Sequence, residues 1–157
     1  MTSTTTTTTS TMTTKICKVF KIDQRQVCLE FVGRAPIFAA SHLCSSSHGK
    51  LPLPTNQKEN DDYLWAFRIV LWEAGKLEGP LIVVLDVNDD NGEGNFTTST
   101  GEPVEWFNWR KGQPDNHNNN EDYVHMDVHE NVVEPGKWND VQGSYLKDYD
   151  IFCEYEL

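Results

Sequence analysis

The segment 81–85, with the sequence LIVVL, is a continuous apolar run in a chain that carries 24% charged residues. A short apolar run without alternation is typical of a strand that lies inside a core. We therefore predict a buried central strand here, preceded by helical segments and followed by a long polar region.

The chain before Cys44 predicts a hairpin followed by a helix. Residues 16–22 alternate between apolar and polar side chains, a polar turn follows at 23–26, and residues 27–32 again suit a strand. Pro36 suits the first turn of a helix that continues to Cys44. These segments predict two paired strands and a first helix.

A second helix is predicted between the first helix and the central strand. Thr55 or Asn56 can cap its N-terminus, and Glu59 follows Asn56 by three residues, as in a capping box. Gly75 and Gly79 mark its end. Its apolar positions recur at helical spacing and are Tyr63, Leu64, Phe67, Leu71 and Ala74.

Residues 86–140, after the central strand, are rich in Asp, Asn, Gly and Glu, and we expect an aromatic strand at 104–109 within them. A long irregular stretch in a compact domain is usually functional or disordered. His125, Asp127 and His129 would share one face of a strand, and we expect a solvent-facing row rather than a zinc site, because a third histidine or a cysteine is lacking.

The charge distribution excludes several classes of partner. Residues 86–157 hold 17 of the 24 acidic residues and only four of the 13 basic ones. Such a field repels nucleic-acid phosphates and anionic membrane surfaces, and it attracts cations. No apolar run is long enough to span a bilayer. We therefore expect no nucleic acid, no direct membrane insertion by this segment, and calcium or a neutral ligand as the partner.

The start of the chain and its cysteines indicate an extracellular context. Residues 1–15 are dominated by Thr and Ser, so we expect a disordered linker or stalk there and a single domain at 16–157. No stretch near Met1 resembles a secretion signal, and we expect a fragment of a longer chain. An even cysteine set without a Cys-x-x-Cys pair predicts two disulfides. The cysteines are Cys17, Cys28, Cys44 and Cys153.

Five oxygen-bearing side chains in the acidic half are candidate metal ligands. They are Gln113, Asp115, Glu121, Asn139 and Asp140. Calcium prefers carboxylate and amide oxygens in a flexible geometry, and three formal charges leave coordination positions open for a ligand. The ligands come from separate segments, unlike those of an EF-hand loop. Neighbouring carboxylates such as Glu121 and Asp122 do not flank a scissile bond as in a glycosidase, so we predict a binding module and no enzyme.

From Cys17 to Leu157 the chain resembles the long form of the C-type lectin-like domain family. The resemblance is carried, in order, by residues 108–109 (NW), 113–115 (QPD), 138–140 (WND) and 151–154 (IFCE). It implies an α+β fold with two helices, two small antiparallel sheets and a long calcium-binding loop region. It also implies that Cys17 pairs with Cys28 and Cys44 with Cys153.

The resemblance further implies a sugar-binding calcium site. The primary Ca²⁺ would be held by Gln113, Asp115, Glu121, Asn139 and Asp140, with a cis bond before Pro114, and sugar hydroxyls would complete its shell. In this family a Gln-Pro-Asp sequence accompanies galactose-type or N-acetylgalactosamine-type ligands. An auxiliary calcium site is implied at Asp89, Glu93, Asn116 and Asp122.

The chain departs from the family's pattern at four positions. Tyr123 and Gly143 occupy the positions of a second core disulfide, and Asp86 replaces a glycine in the central strand. His117 stands where strong galactose binders carry a tryptophan, so we expect it either to stack on sugar or to be a solvated loop residue.

Two uses of this fold are compatible with the sequence. The first is a secreted domain, or the ectodomain of a longer chain, that binds glycans or glycoproteins with calcium. The alternative is the same fold used for protein or ice binding, with calcium serving structure only. The sequence leaves an oligomer open.

Overall fold

The computed structural model describes residues 16–76, 78–144 and 146–157. The predicted Thr- and Ser-rich linker, residues 1–15, lies outside the described residues. The strands are β1 Lys18–Ile22, β2 Arg25–Pro36, β3 Ile82–Asn88, β4 Tyr123–Asp127, β5 Trp138–Val141 and β6 Asp148–Tyr155. The helices are α1 Ala40–Ser45, which continues a 3-10 turn at Ile37–Ala39, and α2 Gln57–Glu73; a second 3-10 turn spans His117–Asn119.

The six strands form one mixed sheet in the order β1-β2-β6-β3-β4-β5. Within it, β1, β2 and β6 form one antiparallel group, and β3, β4 and β5 form another. The two small sheets that the sequence analysis expected are joined by parallel pairing of β3 with β6, in register at Val83 and Asp150. The Asp150 carboxylate reinforces this junction by accepting the backbone N–H of Ile82 at 3.1 Å.

Both faces of the central strand β3 are buried, which explains its unbroken apolar sequence. Val83 and Leu85 face a core cluster that includes the apolar side of α2. Ile82 and Val84 face a second cluster that includes α1. The prediction of a buried central strand is confirmed, and the two helices lie on opposite faces of the sheet.

The predicted N-cap of α2 is confirmed, but the return bond from Glu59 goes to a different residue from the one expected. The Asn56 side chain accepts the backbone N–H of Glu59 at 2.9 Å. The Glu59 carboxylate turns back to the N–H of Thr55 at 2.8 Å, one residue earlier than in a standard capping box. Gly75, with a φ of +72°, follows the end of the helix, where a left-handed residue is favourable.

The expected aromatic strand at 104–109 is wrong. This segment is extended but belongs to no strand of the sheet, and its contact with β5 is an isolated bridge between Trp109 and Trp138. Its aromatic rings pack instead on the core, with Phe107 stacked on Trp109 and Trp106 edge-on to Trp138. Side-chain packing therefore accounts for the aromatic residues that suggested a strand.

Both implied disulfides are present. Cys17 is bonded to Cys28 across the β1-β2 hairpin, with a sequence separation of 11 residues. Cys44, in α1, is bonded to Cys153, in β6, with a separation of 109 residues. The longer bridge lies in the core, where both cysteines are fully buried.

The two bridges are expected to differ in their effect on stability. On a chain-entropy estimate, the 109-residue loop is worth about 5 kcal/mol and the 11-residue loop about 3 kcal/mol. Replacing Cys44 and Cys153 by alanine should therefore lower the free energy of unfolding more than replacing Cys17 and Cys28. Denaturant unfolding of the two matched double variants measures this, and an equal or reversed order would contradict it.

Candidate functional site

Three carboxylates converge where the loop after Pro114 meets the end of β5. Ligand oxygens of Asp115, Glu121 and Asp140 all lie within 4.8 Å of one another. Among the residues that the structure describes, this is the one group of three such side chains that fits a metal ion. Asp140 is 1% exposed, whereas Asp115 is exposed, so the cluster has a buried floor and an open rim.

Backbone N–H groups of the loop hold these carboxylates in place. Asp140 accepts the N–H of Asp115 at 3.2 Å and that of Asn116 at 2.8 Å. Glu121 accepts the N–H of His117 at 3.0 Å. The side chain of Gln113 accepts the N–H of Asp115 at 3.1 Å. The loop is thus folded around its acidic side chains, and the Gln113–Pro114 bond is cis, as the resemblance implied.

The electrostatics of the cluster favour a bound cation. Burial raises the pKa of Glu121, and the nearby carboxylates of Asp140 and Asp115 raise it further. Asn139 contributes a buried Oδ1 that has no hydrogen-bond partner among the described residues. Three converging carboxylates suit a hard cation, and the unpaired oxygen on the residue next to Asp140 in sequence is an amide donor of the kind that calcium accepts.

Trp138 anchors the strand that carries two of the predicted ligands. Its ring is fully buried, and its indole N–H donates to Asn60 Oδ1, in α2, at 2.8 Å. The Asn60 amide in turn donates to the carbonyl of Gly136 at 3.0 Å. The side-chain Nδ2 of Asn108 donates to the same Gly136 carbonyl at 2.9 Å. The backbone carbonyl of Asn108 accepts the backbone N–H of Trp138. These bonds fix the backbone from which Asn139 projects.

Asn60 is a positioning residue that the sequence analysis missed. The available signal was a polar side chain three residues before Tyr63, on the apolar face of α2. Such a residue in a core requires hydrogen-bond partners, and here they are the indole of Trp138 and the carbonyl of Gly136.

Two of the residues expected at the auxiliary site, Glu93 and Asp122, lie near a third, Asp89. Asp89 is buried, and its Oδ2 accepts the N–H of Gly94 at 2.8 Å, while its Oδ1 has no partner among the described residues. Burial raises the pKa of Asp89, and the charges of Glu93 and Asp122 raise it further. Asn116 is turned toward the primary cluster, since its Oδ1 accepts the N–H of Glu121 at 3.1 Å.

The expected solvent-facing row on β4 is wrong for two of its three members. His125 and Asp127 are buried, and His129 is half-buried. Burial lowers the pKa of His125 to about 3, so its imidazole is neutral. The Asp127 carboxylate accepts from Arg110 at 3.2 Å. Burial follows from the second core cluster, which covers this face of the sheet.

Two departures from the family's pattern have structural explanations. The Asp86 carboxylate accepts the N–H of Ser99 at 2.9 Å, so the buried charge ties β3 to the following loop. Gly143 lies against the ring of Tyr123, where an added Cβ would meet Cε2 at 2.8 Å. The positions of the missing bridge are therefore in contact through an aromatic ring. His117 is exposed, next to the primary cluster.

A family model described as the lectin C-type domain matches residues 34–155. The match covers well over half of the chain, and the chain therefore belongs to the C-type lectin domain family. Domains of this family generally bind carbohydrate in a calcium-dependent manner and are in general not enzymes.

Pulmonary surfactant-associated protein D of Sus scrofa is 30% identical over 119 residues, which are 74% of this chain and 27% of that protein. The chain thus spans about a quarter of the length of this curated relative.

Solved structures share the fold. The carbohydrate-recognition domain of the mouse scavenger receptor C-type lectin has a TM-score of 0.67 at 22% identity, covering 89% of this chain and 95% of that one. The lectin CEL-I from Cucumaria echinata has a TM-score of 0.63 at 24% identity, covering 82% and 89%. The domain of cow CD23, in the presence of a GlcNAc2Man3 oligosaccharide, has a TM-score of 0.64 at 21% identity, covering 88% and 91%.

Replacing Asn60 by alanine is expected to destabilise the domain by about 2 to 3 kcal/mol, because the indole N–H of Trp138 is left buried without its acceptor. Asp61→Ala is the matched control, since Asp61 is the exposed neighbour on the same helix and should change stability by less than about 0.5 kcal/mol. Equal losses in thermal or denaturant unfolding would contradict the positioning role.

Proposed function

We propose that this domain binds carbohydrate through a calcium ion held by Gln113, Asp115, Glu121, Asn139 and Asp140. The observation that carries the proposal is the convergence of three carboxylates within 4.8 Å. Asn139, which precedes Asp140 in sequence, adds a buried oxygen without a partner among the described residues. Calcium accepts six to eight oxygen ligands, so these five side chains leave positions for a sugar.

The arrangement suits recognition of two neighbouring hydroxyls on one pyranose ring. When bound, the ion supplies direct coordination of these hydroxyls. The exposed carboxylate of Asp115 accepts hydrogen bonds from them, and the amide groups of Gln113 and Asn139 donate to them. The placement of donors and acceptors would then select the hydroxyl stereochemistry, and the buried Asp140 would be one of the residues that hold the ion.

Galactose-type or N-acetylgalactosamine-type glycans are the proposed ligands. The support is the Gln-Pro-Asp sequence at 113–115, which accompanies such ligands in the family. The imidazole of His117 is exposed beside the cluster, where it would pack against the apolar face of the sugar. We assign a second, structural calcium ion to Asp89, Glu93, Asn116 and Asp122.

An extracellular location fits this function. Two disulfides persist in oxidising compartments, which are also where calcium is abundant and glycans are displayed. No helix among the described residues has both the length and the apolar character needed to cross a bilayer. Glycoproteins at cell surfaces are accordingly the proposed partners.

Calcium is expected to raise the melting temperature. At a calcium concentration 100 times the Kd, linkage adds about 2.7 kcal/mol, which corresponds to roughly 5 to 10 °C for a domain of this size. Differential scanning fluorimetry with calcium and with EDTA measures the shift. No shift at millimolar calcium would count decisively against the site.

A matched pair of variants assigns that shift to the cluster. Glu121→Gln removes one of the three converging carboxylates and should strongly reduce the calcium-induced shift. Glu105→Gln removes an exposed carboxylate outside the cluster and should leave the shift unchanged. Equal behaviour of the two variants would mean that calcium acts through general charge screening.

The sugar preference is tested by exchanging the amide and carboxylate of the tripeptide. Gln113→Glu combined with Asp115→Asn should move binding from galactose to mannose, because the donor and acceptor positions are swapped while the net charge is kept. Calcium-reversible retention on immobilised galactose and mannose measures the change. If the calcium-induced stabilisation persists but neither protein is retained on any glycan, the fold serves protein or ice binding instead.

A further inference from the structure

A second concave surface lies on the outer side of α2. It is a cavity of about 400 Å³. We call it the Trp groove, and its lining residues are Trp65, Arg68, Ile69, Trp72, Lys76, Leu81, Val128, His129 and Glu130. The volume lies within the range of small-ligand sites and is too small to seat a protein domain.

Two tryptophans dominate the Trp groove. Trp65 is 65% exposed and Trp72 is 67% exposed, although each is a large apolar side chain. They are seven residues apart on α2, which places them on the same face and about 10 Å apart along the helix axis. Two large exposed rings on one helix face form an apolar patch, and such patches often mark binding surfaces.

The Trp groove is separate from the calcium cluster. Strand β4 begins at Tyr123, two residues after the cluster residue Glu121, and it runs away from the cluster toward Val128 in the groove. Five to seven residues of extended chain span roughly 20 Å. A ligand in the groove therefore contacts none of the calcium ligands.

Charge selects the occupant. Arg68 lies between the two tryptophans on α2, and its Nε donates to the Val128 carbonyl at 2.9 Å, which fixes the guanidinium in the groove. Its other N–H groups have no partner among the described residues, and Lys76 adds a second cation against the single carboxylate of Glu130. A planar guanidinium matches a carboxylate with two parallel hydrogen bonds.

We propose that the Trp groove binds an oligosaccharide of uronic acids without calcium. The apolar faces of two sugar rings lie on Trp65 and Trp72, and the carboxylate of a ring between them pairs with Arg68. Lys76 supplies longer-range attraction in a chain whose net charge is −11. This site is distinct from the proposed calcium site and would give the domain two different glycan contacts.

The test uses hexagalacturonate as the acidic probe and maltohexaose as a neutral probe of equal length, both in excess EDTA. Isothermal titration should show binding of hexagalacturonate that weakens with added salt, and clearly weaker binding of maltohexaose. Trp65→Ala and Trp72→Ala should each weaken binding of the acidic probe about three- to tenfold. Both side chains are largely exposed, so the variants should fold normally, and far-UV circular dichroism checks this.

A matched lysine pair tests the charge argument. Lys76→Gln should weaken hexagalacturonate binding about two- to fivefold, whereas Lys111→Gln, an exposed lysine outside the Trp groove, should leave it unchanged. Lack of binding by both probes, or unchanged binding in the two tryptophan variants, would overturn the proposal. Equal binding of both probes would overturn the role of charge. Because the chelator empties the calcium site, either result is independent of the proposed calcium-dependent function.

Discussion

Repulsion among three like charges is the constraint around which this domain is built. Asp115, Glu121 and Asp140 are held within 4.8 Å of one another, and one of them is almost fully buried. Bringing carboxylates together at this distance is unfavourable unless donors or a cation compensate. Backbone N–H groups of the loop compensate in part, and the remaining deficit is the driving force available to a divalent ion.

The scaffold tolerates this deficit because the residues beneath the site are rigidly held. Trp138 is packed among three aromatic rings and bonded to Asn60, so β5 cannot move without breaking buried hydrogen bonds. The bridge between Cys44 and Cys153 ties α1 to the strand next to β3. The acidic loop therefore lies on elements that are fixed by buried hydrogen bonds and by a disulfide.

Much of this architecture was accessible from local sequence signals. The N-cap at Asn56, the spacing of Tyr63 and Phe67, and the apolar run at 81–85 each predicted an element that is present, because each signal reports on a neighbour only a few residues away. The residues of the acidic cluster could be grouped only through the family resemblance, because the segments at 113–121 and 138–140 carry no local information about the distance between them.

The failures have a common physical origin in long-range packing. His125 packs against the ring of Tyr149 in β6, which lies far away in sequence, so a polar alternation on β4 wrongly indicated exposure. The aromatic residues at 104–109 suggested a strand because β propensity reports fit to a half-buried surface, and that surface exists here without strand pairing. The Trp groove could not be predicted from the sequence, because helical periodicity does not show which tryptophans are exposed to solvent.

With a ring contact between Tyr123 and Gly143 where relatives can carry a disulfide, no disulfide closes the acidic loop. Thiol reagents or a reducing compartment act on the hairpin and on the link from α1 to β6, whereas the acidic loop is held by hydrogen bonds and by the packing of Tyr123 on Gly143. Reduction of the two disulfides therefore leaves every hydrogen bond of this loop chemically intact, and the loop itself carries no redox-sensitive bond.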